Sequence, residues 1–295
     1  MKQATTTTFK PFREGLFFIL LFTLPAIGLS QQLKMTDFVI FGGGGTCPTC
    51  AVQMGPSTVV NGGSVGSYKF VTSTGTINLT GNIYSGGTVQ LAGSNTVSGK
   101  ITAGNSQGLS LLTNVLTVGS TAKLGGNIDA LASVSVTSGT VSGKVTHPSG
   151  SNYSGPAPAG GNVVGTPTIP TMPSMPAITN FPAFGVANIT NTQTIVPGPY
   201  KDVILGSNST LTLSGPGVYI FKSLTTNGPN SQIVFDFKNT ATGNFFIYVY
   251  SDVILNKNSS ILKNGGSATR IYSETHGTGS TNTADNTAAW YSSNA

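Results

Sequence analysis

The chain is short of charged residues, and of acidic residues above all. It contains 8 Asp and Glu against 14 Lys and Arg in 295 residues, and charged residues amount to 7% of the total. Long helices need Glu, Lys, Gln and Arg in quantity, so this shortage argues against a helical protein. Disordered chains combine low hydrophobicity with high net charge, whereas 38% of this chain is hydrophobic. The basic residues occur singly and form no patch or stripe, so we expect no nucleic-acid partner.

Cysteine and histidine are also rare, with two residues of each. Cys47 and Cys50 form a Cys-x-x-Cys pair behind a run of glycines. Redox chemistry at such a pair needs a helix start, and the Ala-Val-Gln-Met-Gly-Pro that follows is a poor one. Zinc would need two more ligands, and His147 and His276 are remote in the sequence. We interpret Cys47 and Cys50 as a candidate disulfide that pins a Gly-rich loop, with a redox or metal role as the alternative.

Long apolar runs are missing except near the start of the chain. The opening segment is basic, residues 15–27 are largely apolar, and the small residues Gly28 and Ser30 precede Gln31. This order predicts a secretory signal peptide over residues 1–30, with an uncleaved anchor as the alternative. No later stretch is long enough to span a membrane as a helix. We therefore expect a secreted or cell-surface protein with no membrane span after cleavage.

Glycine is abundant, at 39 residues, and there are 16 prolines. The apolar residues are mostly Val, Ile, Leu and Phe, and they stand among Ser, Thr, Asn and Gly. Strand-forming residues set between turn-forming residues predict many short strands. The composition therefore indicates an all-β protein.

The first half of the chain contains two copies of one unit. Residues 81–91 match residues 126–136, and each copy leads to a Thr-Val-Ser-Gly-Lys segment, at 96–102 and at 140–146. Apolar residues alternate with polar ones in both copies, which is the period of a strand with one buried face. Internal repeats in a Gly-rich chain with this alternation predict a repetitive β architecture.

The second half has a repeat of its own. Residues 202–211 recur at 252–261, and residues 223–233 form a looser third copy. Each copy places an asparagine before a strand, at Asn208, Asn230 and Asn258. Asparagine adopts left-handed backbone angles readily and suits a recurring corner. The spacing of the asparagines is near one turn of a three-sided β-solenoid, and we expect Ile254 to belong to its core.

A proline-rich segment separates the two repeat regions, with eight prolines from Pro148 to Pro182. Proline cannot donate to a sheet ladder, so an extended, polyproline-like spacer is expected, with a peptide ligand for a partner groove as the alternative. The predicted fold class is all-β, a β-solenoid (β-helix) of short strands with two repeat segments joined by a Pro-rich connector.

The expected organisation has five parts. They are a signal peptide (1–30), a first solenoid segment (31–147), the connector (148–182), a second solenoid segment (183–275) and a polar tail (276–295). We see no cap for the last coil in the tail, and we interpret the chain as the N-terminal part of a longer surface protein.

The sequence contains no convincing active site. Ser64 lies in a Gly-x-Ser-x-Gly match, but a strand follows it where a nucleophile elbow requires a helix. Asp202 and Asp252 occupy equivalent repeat positions, with Asp236 and Glu274 in the same half, and glycoside hydrolysis needs acids about 5–10 Å apart. We interpret the repeated aspartate as a corner or capping residue. The sequence thus predicts no enzyme, no metal site and no cofactor.

One region resembles a known group of proteins. Residues 197–205 read Pro-Gly-Pro-Tyr before a strand, and residues 211–224 contain Gly-Pro-Gly-Val-Tyr-Ile-Phe. This pattern is similar to that of bacterial exported β-solenoid surface proteins, which include ice-binding-like and adhesin-like modules. The resemblance covers residues 36–275 loosely and implies a structural, adhesive or ice-binding role. Thr-x-Thr pairs, which would present threonine to ice, occur at 74/76, 190/192 and 210/212 without a steady coil period.

The leading hypothesis is a secreted or cell-surface structural module that adheres through flat polar faces. Its expected partner is an extracellular surface, a glycan or another cell-surface protein. A β-helix polysaccharide-degrading enzyme and an ice-binding protein are the alternatives. Aromatic rings suit sugars, and the candidate tyrosines are Tyr84, Tyr219, Tyr248 and Tyr250, although tyrosines at alternating strand positions are more often half-buried packing residues. The sequence makes no prediction of binding residues beyond these or of oligomeric state.

Overall fold

The computed structural model describes residues 32–42, 51–174, 182–251, 253–256, 258–275 and 290–293. These residues form two β-solenoids built from short parallel strands, which confirms the predicted fold class. The predicted signal peptide, the candidate disulfide of Cys47 and Cys50, and most of the predicted polar tail lie outside the described residues. Within the described part of the chain, no helix has the length and apolar character that a membrane crossing requires.

Among the described residues, eighteen strands build the first solenoid. They are β1 (Phe38–Gly42), β2 (Ala51–Met54), β3 (Thr58–Val60), β4 (Ser64–Ser67), β5 (Phe70–Ser73), β6 (Ile77–Leu79), β7 (Ile83–Ser85), β8 (Thr88–Leu91), β9 (Thr96–Val97), β10 (Ile101–Ala103), β11 (Asn114–Val118), β12 (Ala122–Leu124), β13 (Ile128–Ala130), β14 (Ser133–Val136), β15 (Gly139–Val141), β16 (Val145–His147), β17 (Tyr153–Ser154) and β18 (Asn162–Val164). A 3-10 helix, Met35–Asp37, precedes β1.

In the described part of the second solenoid there are twelve strands. They are β19 (Gln193–Ile195), β20 (Gly198–Pro199), β21 (Asp202–Leu205), β22 (Thr210–Ser214), β23 (Gly217–Phe221), β24 (Ser223–Thr226), β25 (Ser231–Asp236), β26 (Phe245–Val249), β27 (Val253–Asn256), β28 (Asn258–Lys263), β29 (Ile271–Thr275) and β30 (Trp290–Ser293). A second 3-10 helix, Ala268–Arg270, precedes β29.

Three parallel sheets form the walls of the first solenoid. Sheet 1 has the order β1-β4-β7-β10-β13-β16-β18, sheet 2 the order β2-β5-β8-β11-β14-β17, and sheet 3 the order β3-β6-β9-β12-β15. Ile83 pairs with Ile101, and Ile101 in turn pairs with Ile128. The second of these two coils is the longer one, because a loop is inserted between β10 and β11. The matching segments 81–91 and 126–136 are therefore two coils apart. Strands β17 and β18, which lie within the expected connector, complete the last coil.

The core of the first solenoid is aliphatic and is arranged in columns. Residues at the same inward position of successive coils stack on one another, as in the column Ile83, Ile101, Ile128 and Val145. Each of these side chains is at most 1% exposed. Full burial of one such side chain contributes about 1.5–3 kcal/mol relative to exposure. A single coil cannot bury its own inner face, so the coils stabilise one another through these columns.

A column of glycines lies at the corner between sheets 3 and 1. It consists of Gly81, Gly99, Gly126, Gly143 and Gly160. A Cβ at Gly99 would overlap the carbonyl oxygen of Gly81, and a Cβ at Gly143 would overlap that of Gly126. Successive coils therefore approach too closely at this corner for any side chain, which is one reason for the high glycine content.

After four successive corner glycines, from Gly81 to Gly143, the next residue alternates between asparagine and lysine. The side-chain oxygen of Asn82 accepts a hydrogen bond from the Lys100 amide at 2.7 Å, and that of Asn127 accepts one from the Lys144 amide at 2.9 Å. The side chain of each asparagine thus accepts a hydrogen bond from a backbone amide of the next coil. That next coil has lysine at the equivalent position. This alternation explains why the sequence repeat spans two coils.

The second solenoid also has three parallel sheets but longer coils. Sheet 4 has the order β21-β24-β27-β30, sheet 5 the order β19-β22-β25-β28, and sheet 6 the order β20-β23-β26-β29. Leu224 pairs with Val203 on one side and with Val253 on the other, so the later of these two coils contains more residues. Aromatic rings fill the larger interior. Phe245 stacks on Tyr219 at 5.8 Å between centroids and meets Phe237 edge-on at 4.9 Å.

The asparagine corner is present in two coils but not in the third. Asn208 and Asn230 have φ angles of 57° and 61°, and the Asn230 side chain donates to the Asn208 side-chain oxygen at 3.1 Å. Asn258, however, pairs with Ser231 and not with Asn230. The connection before β28 is one residue shorter than the sequence repeat implies. Ile261 consequently lies on the outer side of the sheet and is 37% exposed, because a one-residue slip reverses the side on which each residue lies.

The expectation that Ile254 belongs to the core is wrong. It stands in register with Thr225 and Ile204, on the outer side of sheet 4, and it is half-buried. The inward positions of the Val-Ile-Leu run are Val253, which is fully buried, and Leu255. In a run of three apolar residues, strand alternation turns the middle one outward when the outer two face the core.

After β18 the chain returns along sheet 1 as an extended segment, residues 165–174, which we name the strap. Its buried residues recur at every third position, at Pro167, Pro170 and Pro173, which is the period of a polyproline II helix. Three residues of such a helix advance about 9.3 Å. Two strand spacings amount to about 9.6 Å. The strap can therefore place one proline against every second coil.

Polar contacts fix the strap to the sheet. The Thr168 amide donates to Asp129 at 3.3 Å, and Lys100 pairs with Asp129 at 2.8 Å while it donates to the Thr168 carbonyl at 3.3 Å. Farther along, the Leu33 amide donates to the Thr171 carbonyl at 3.0 Å, and the Tyr68 hydroxyl donates to the Pro173 carbonyl. The strap thus runs from the later coils of the first solenoid back to its first coil.

The last strand of the second solenoid lies against the first coil of the first solenoid, where β30 contacts β2. Coils that are far apart in the sequence are therefore neighbours in space. The strap makes this arrangement possible, because it carries the chain back along the outside of the first solenoid.

Asp236 ties two turns of the second solenoid together. Its carboxylate accepts hydrogen bonds from the Lys238 amide at 3.0 Å and the Asn264 side chain at 2.6 Å, and it pairs with the Lys238 ammonium at 3.1 Å. Burial acts to raise the pKa of this carboxyl, but the hydrogen bonds and the charge of Lys238 outweigh burial and lower it.

We expect Gly143→Ala to destabilise the protein by about 1–3 kcal/mol, because the new Cβ forces two coils apart. Gly165→Ala is the matched control, since its Cβ would meet only Val163 at 3.8 Å. Urea denaturation followed by circular dichroism measures both changes. Equal stabilities of the two variants would contradict the close-approach explanation.

We expect Asp129→Ala to loosen the strap, because Thr168 and Lys100 both lose their carboxylate partner. Hydrogen exchange should show faster exchange at residues 165–174 with little change in the core strands. Asp202→Ala, whose carboxylate contacts Ser223 in the second solenoid, serves as the control. Unchanged protection of the strap in Asp129→Ala would show that the prolines alone hold it.

We expect acid to weaken the second solenoid through Asp236. The folded-state pKa lies below the unfolded value of about 3.9, so the stabilisation is complete above that pH and is lost as the pH falls through the folded-state value. Asp236→Asn should therefore flatten the dependence of stability on pH between about pH 4 and pH 2. Denaturation curves at several pH values test this, with Asp202→Asn as the control. An unaltered pH dependence in Asp236→Asn would exclude this carboxylate as the source.

Candidate binding face

The outer sides of the six sheets differ in character. Sheet 1 is covered by the strap, so its outward residues Thr102, Asp129 and Thr146 are buried. Sheet 2 presents a polar column, whose members are Gln53, Thr72, Gln90, Thr117, Ser135 and Ser154. Sheet 6 differs from both, because three of the six outward residues on β23, β26 and β29 are aromatic.

Strand alternation explains the aromatic surface on sheet 6. The run Phe-Phe-Ile-Tyr-Val in β26 consists of strong strand formers. Phe245, Ile247 and Val249 face the core and are at most 4% exposed. Phe246 and Tyr248 must then face outward.

The register of β23, β26 and β29 aligns these outward residues in two columns. One column is Val218, Phe246 and Tyr272, and the other is Ile220, Tyr248 and Glu274. We name these six residues the aromatic face. Val218 is 40% exposed and Ile220 only 8%, while the other four are half-buried.

The rings and the carboxylate of the aromatic face are in contact with one another. Phe246 and Tyr272 lie 6.2 Å apart between ring centroids, at a tilted angle of 59°. The Tyr272 hydroxyl donates to the Glu274 carboxylate at 2.8 Å. Burial raises the pKa of Tyr272, and the hydrogen bond and negative charge of Glu274 raise it further. Burial and Glu274 also raise the pKa of Tyr248. Both hydroxyls therefore stay protonated at neutral pH.

A second pair of rings lies at the corner where sheet 6 turns into sheet 4. Tyr250 follows β26, and Phe184 meets it edge-on at 5.0 Å between centroids. Phe184 belongs to the segment that leads from the connector into the second solenoid. The apolar surface of the second solenoid thus continues past the edge of the aromatic face.

This arrangement is chemically suited to sugars. A sugar ring has an apolar side made of C–H groups and a rim of hydroxyl groups. Aromatic rings with a polar tip combine apolar contact area with a hydrogen-bonding group. On the aromatic face, Phe246 and Tyr272 supply the rings, and Glu274 supplies acceptor oxygens for hydroxyl groups. A few convergent polar groups on an apolar surface are typical of ligand sites.

The four candidate tyrosines lie in different environments in the structure. Tyr219 lies in the core at 0% exposure, and its hydroxyl donates to the Gly215 carbonyl at 2.8 Å, so it is unable to reach a ligand. Tyr84 packs edge-on against Phe38 at 5.7 Å on sheet 1. Tyr248 belongs to the aromatic face, and Tyr250 to the adjoining corner.

The candidate acids of the second half do not converge. Asp202 lies on sheet 4, where it accepts a hydrogen bond from Ser223 at 2.7 Å, Asp236 lies on sheet 5, and Glu274 lies on sheet 6. Asp252 lies outside the described residues. The described acids therefore offer no carboxylate pair of the kind that glycoside hydrolysis uses.

Ser64 and His147 are buried within the first solenoid. Ser64 is 6% exposed and begins strand β4, so no helix follows it. His147 is 2% exposed, and its Nδ1 lies 3.1 Å from both the Ser151 hydroxyl and the Pro148 carbonyl. His276 lies outside the described residues. Where the structure describes the chain, no cluster of three His, Cys, Asp or Glu residues is placed to hold a metal ion.

The Thr-x-Thr pair at Thr210 and Thr212 does not belong to a threonine lattice. Thr210 stands in register with Gln232 and Ser259 on sheet 5. Thr212 stands beside Thr194 on one side but beside Val234 on the other. The columns therefore change residue type from coil to coil.

Sequence reasoning found part of the aromatic face. It singled out Tyr248 as a sugar contact and Glu274 as a candidate acid, but it missed Phe246 and Tyr272. The alternation of Phe246 and Tyr248 along β26 was a signal from which two outward rings could have been predicted. The pairing of Phe246 with Tyr272 could not be predicted from the sequence, because it depends on the lengths of the turns between β25 and β26 and between β28 and β29.

Comparison of the chain with protein-family models, curated proteins and solved structures gave no match. The function must therefore be argued from the geometry of the chain itself.

Proposed function

We propose that this protein is an exported, non-enzymatic β-solenoid of the adhesin-like kind, and that it binds a glycan on an extracellular or cell surface through the aromatic face. The observation that carries the proposal is the aligned pair of columns on sheet 6, which places the rings of Phe246, Tyr248 and Tyr272 on the same face as the Glu274 carboxylate. Partly exposed rings grouped in one patch are uncommon on a protein surface without a partner.

The rigidity of the scaffold supports this function. Every residue of the aromatic face sits on a strand that is paired within sheet 6, and the inward neighbours Tyr219 and Phe245 are fully buried. The binding groups are therefore held in place before the ligand arrives, which lowers the entropic cost of association. A row of rings along the solenoid axis also fits an extended polymer better than a single small sugar.

Phe246→Ala and Tyr272→Ala should each weaken glycan binding about three- to tenfold, because one ring contact is worth about 0.5–1.5 kcal/mol. Tyr272→Phe keeps the ring and should retain most of the affinity. Thr212→Ala, on the outer side of sheet 5, is the matched control. A glycan array and pull-down by insoluble polysaccharides, with protein starting at Gln31, identify the ligand before the variants are compared.

The same samples are assayed for sugar release and for ice binding. Binding without release of reducing sugar is the expected result. Release of sugar would establish an enzyme, and affinity for ice alone would establish the ice-binding alternative. Loss of glycan binding in Thr212→Ala, with Phe246→Ala unaffected, would place the site on a different sheet.

A further inference from the structure

The outer side of sheet 3, on the first solenoid, carries a shallow groove that is separate from the aromatic face. Its volume is about 320 Å³, which lies within the range of small-ligand sites. The groove crosses β9, β12 and β15 and follows two outward columns. One column is Thr96, Lys123 and Thr140, and the other is Ser98, Gly125 and Ser142.

Gly125 creates the depression in the second column. It lies between Ser98 and Ser142, and a Cβ at this position would lie 2.7 Å from the Ser98 carbonyl oxygen. The close approach of the coils therefore requires a glycine here. Because Gly125 carries no side chain, the surface is lower between the two serines, and Lys123 lies beside this depression in the neighbouring column.

The polar groups of the groove are available to a ligand. Ser98, Lys123, Thr140 and Ser142 are exposed, and Thr96 is half-buried. The ion pairs of the described residues are Lys100 with Asp129 and Lys238 with Asp236, and neither involves Lys123. With 8 acidic residues against 14 basic ones in the chain, a lysine without a carboxylate partner carries an uncompensated charge.

We propose that this groove binds a segment of an acidic polysaccharide, with a sugar carboxylate on Lys123 and sugar hydroxyls on the Thr and Ser hydroxyls around it. A sugar chain matches the groove because it offers hydroxyl groups at regular intervals and needs little apolar contact. Each Thr or Ser hydroxyl both donates and accepts, so it can pair with a sugar hydroxyl in either sense. The lysine selects a polymer that carries negative charge.

Nucleic acid fits the groove less well. Binding to a phosphate backbone requires a row of cations, and this groove has one lysine and no aromatic ring for a base. The groove and the aromatic face lie on different solenoids, so the proposal does not depend on the function proposed for the aromatic face.

Polygalacturonate and its fully methyl-esterified form are the probes, because they differ in charge but not in backbone. Wild-type protein should bind polygalacturonate, and Lys123→Gln should bind it roughly fivefold more weakly, as expected for an exposed ion pair. Lys123→Arg should retain binding. Raising the salt concentration should remove the difference between wild type and Lys123→Gln. Binding of the methyl ester should be the same in all three proteins.

Two controls separate this site from general surface charge and from the aromatic face. Lys263→Gln removes an exposed lysine on sheet 5 and should leave polygalacturonate binding unchanged. Phe246→Ala should also leave it unchanged. A Thr140→Val and Ser142→Ala double variant should weaken binding of both polymers, whereas Thr117→Val on sheet 2 should not. An equal loss in Lys123→Gln and Lys263→Gln, or no loss in either, would overturn the proposal.

Discussion

The close approach of successive coils at the glycine corners is the constraint on which the rest of the structure depends. Neighbouring strands in a sheet lie about 4.8 Å apart, and the corners must keep that spacing while the chain changes direction. At Gly99, Gly126 and Gly143 the backbone of the previous coil occupies the place of a side chain. Only because these corners close tightly do the inward residues of successive coils meet as continuous columns. The aliphatic core of the first solenoid is therefore a consequence of the corners as much as of its Val, Ile and Leu content.

The same register that builds the core also organises the surface. Because the coils stack in register, the outward residues also form columns. The side chains that occupy one column decide the chemistry of that face. On sheet 6 one such column holds Val218, Phe246 and Tyr272, and on sheet 3 one holds Thr96, Lys123 and Thr140. Sheet 1 could have been a third such face, but the strap covers it and pairs with Asp129. One scaffold thus presents an aromatic surface and a hydroxyl-rich surface at fixed positions.

The sequence was sufficient for the architecture because the signals of a solenoid are local. Alternating Val and Leu, corner glycines and the Asn208 and Asn230 corners all act within one coil or between neighbours. Register across long turns was not predictable in the same way. The one-residue difference before β28 moved Asn258 out of the corner column and turned Ile261 outward, although the sequence repeat is unbroken there. The aromatic face was equally difficult to predict, because Phe246 lies beside Tyr272 only when the turns of two successive coils have the right lengths.

Proline lies in two of the coils that end the solenoids, the last coil of the first solenoid and the first coil of the second. An exposed parallel edge is a template for a further strand, and a protein can block it with proline, which has no amide hydrogen to donate. Pro197 and Pro199 lie in the first coil of the second solenoid, and Pro156 and Pro158 lie in the last coil of the first solenoid. Pro199 belongs to β20, and the segment 185–189 runs beside this coil and hydrogen-bonds to Tyr200, Lys201 and Asp202. These prolines, together with the paired segment 185–189, make these two ends poor sites for pairing with another chain, while the outward columns of sheets 3 and 6 keep side chains accessible. The outward columns on the sides therefore stay accessible, and the coils behind them hold their side chains in line.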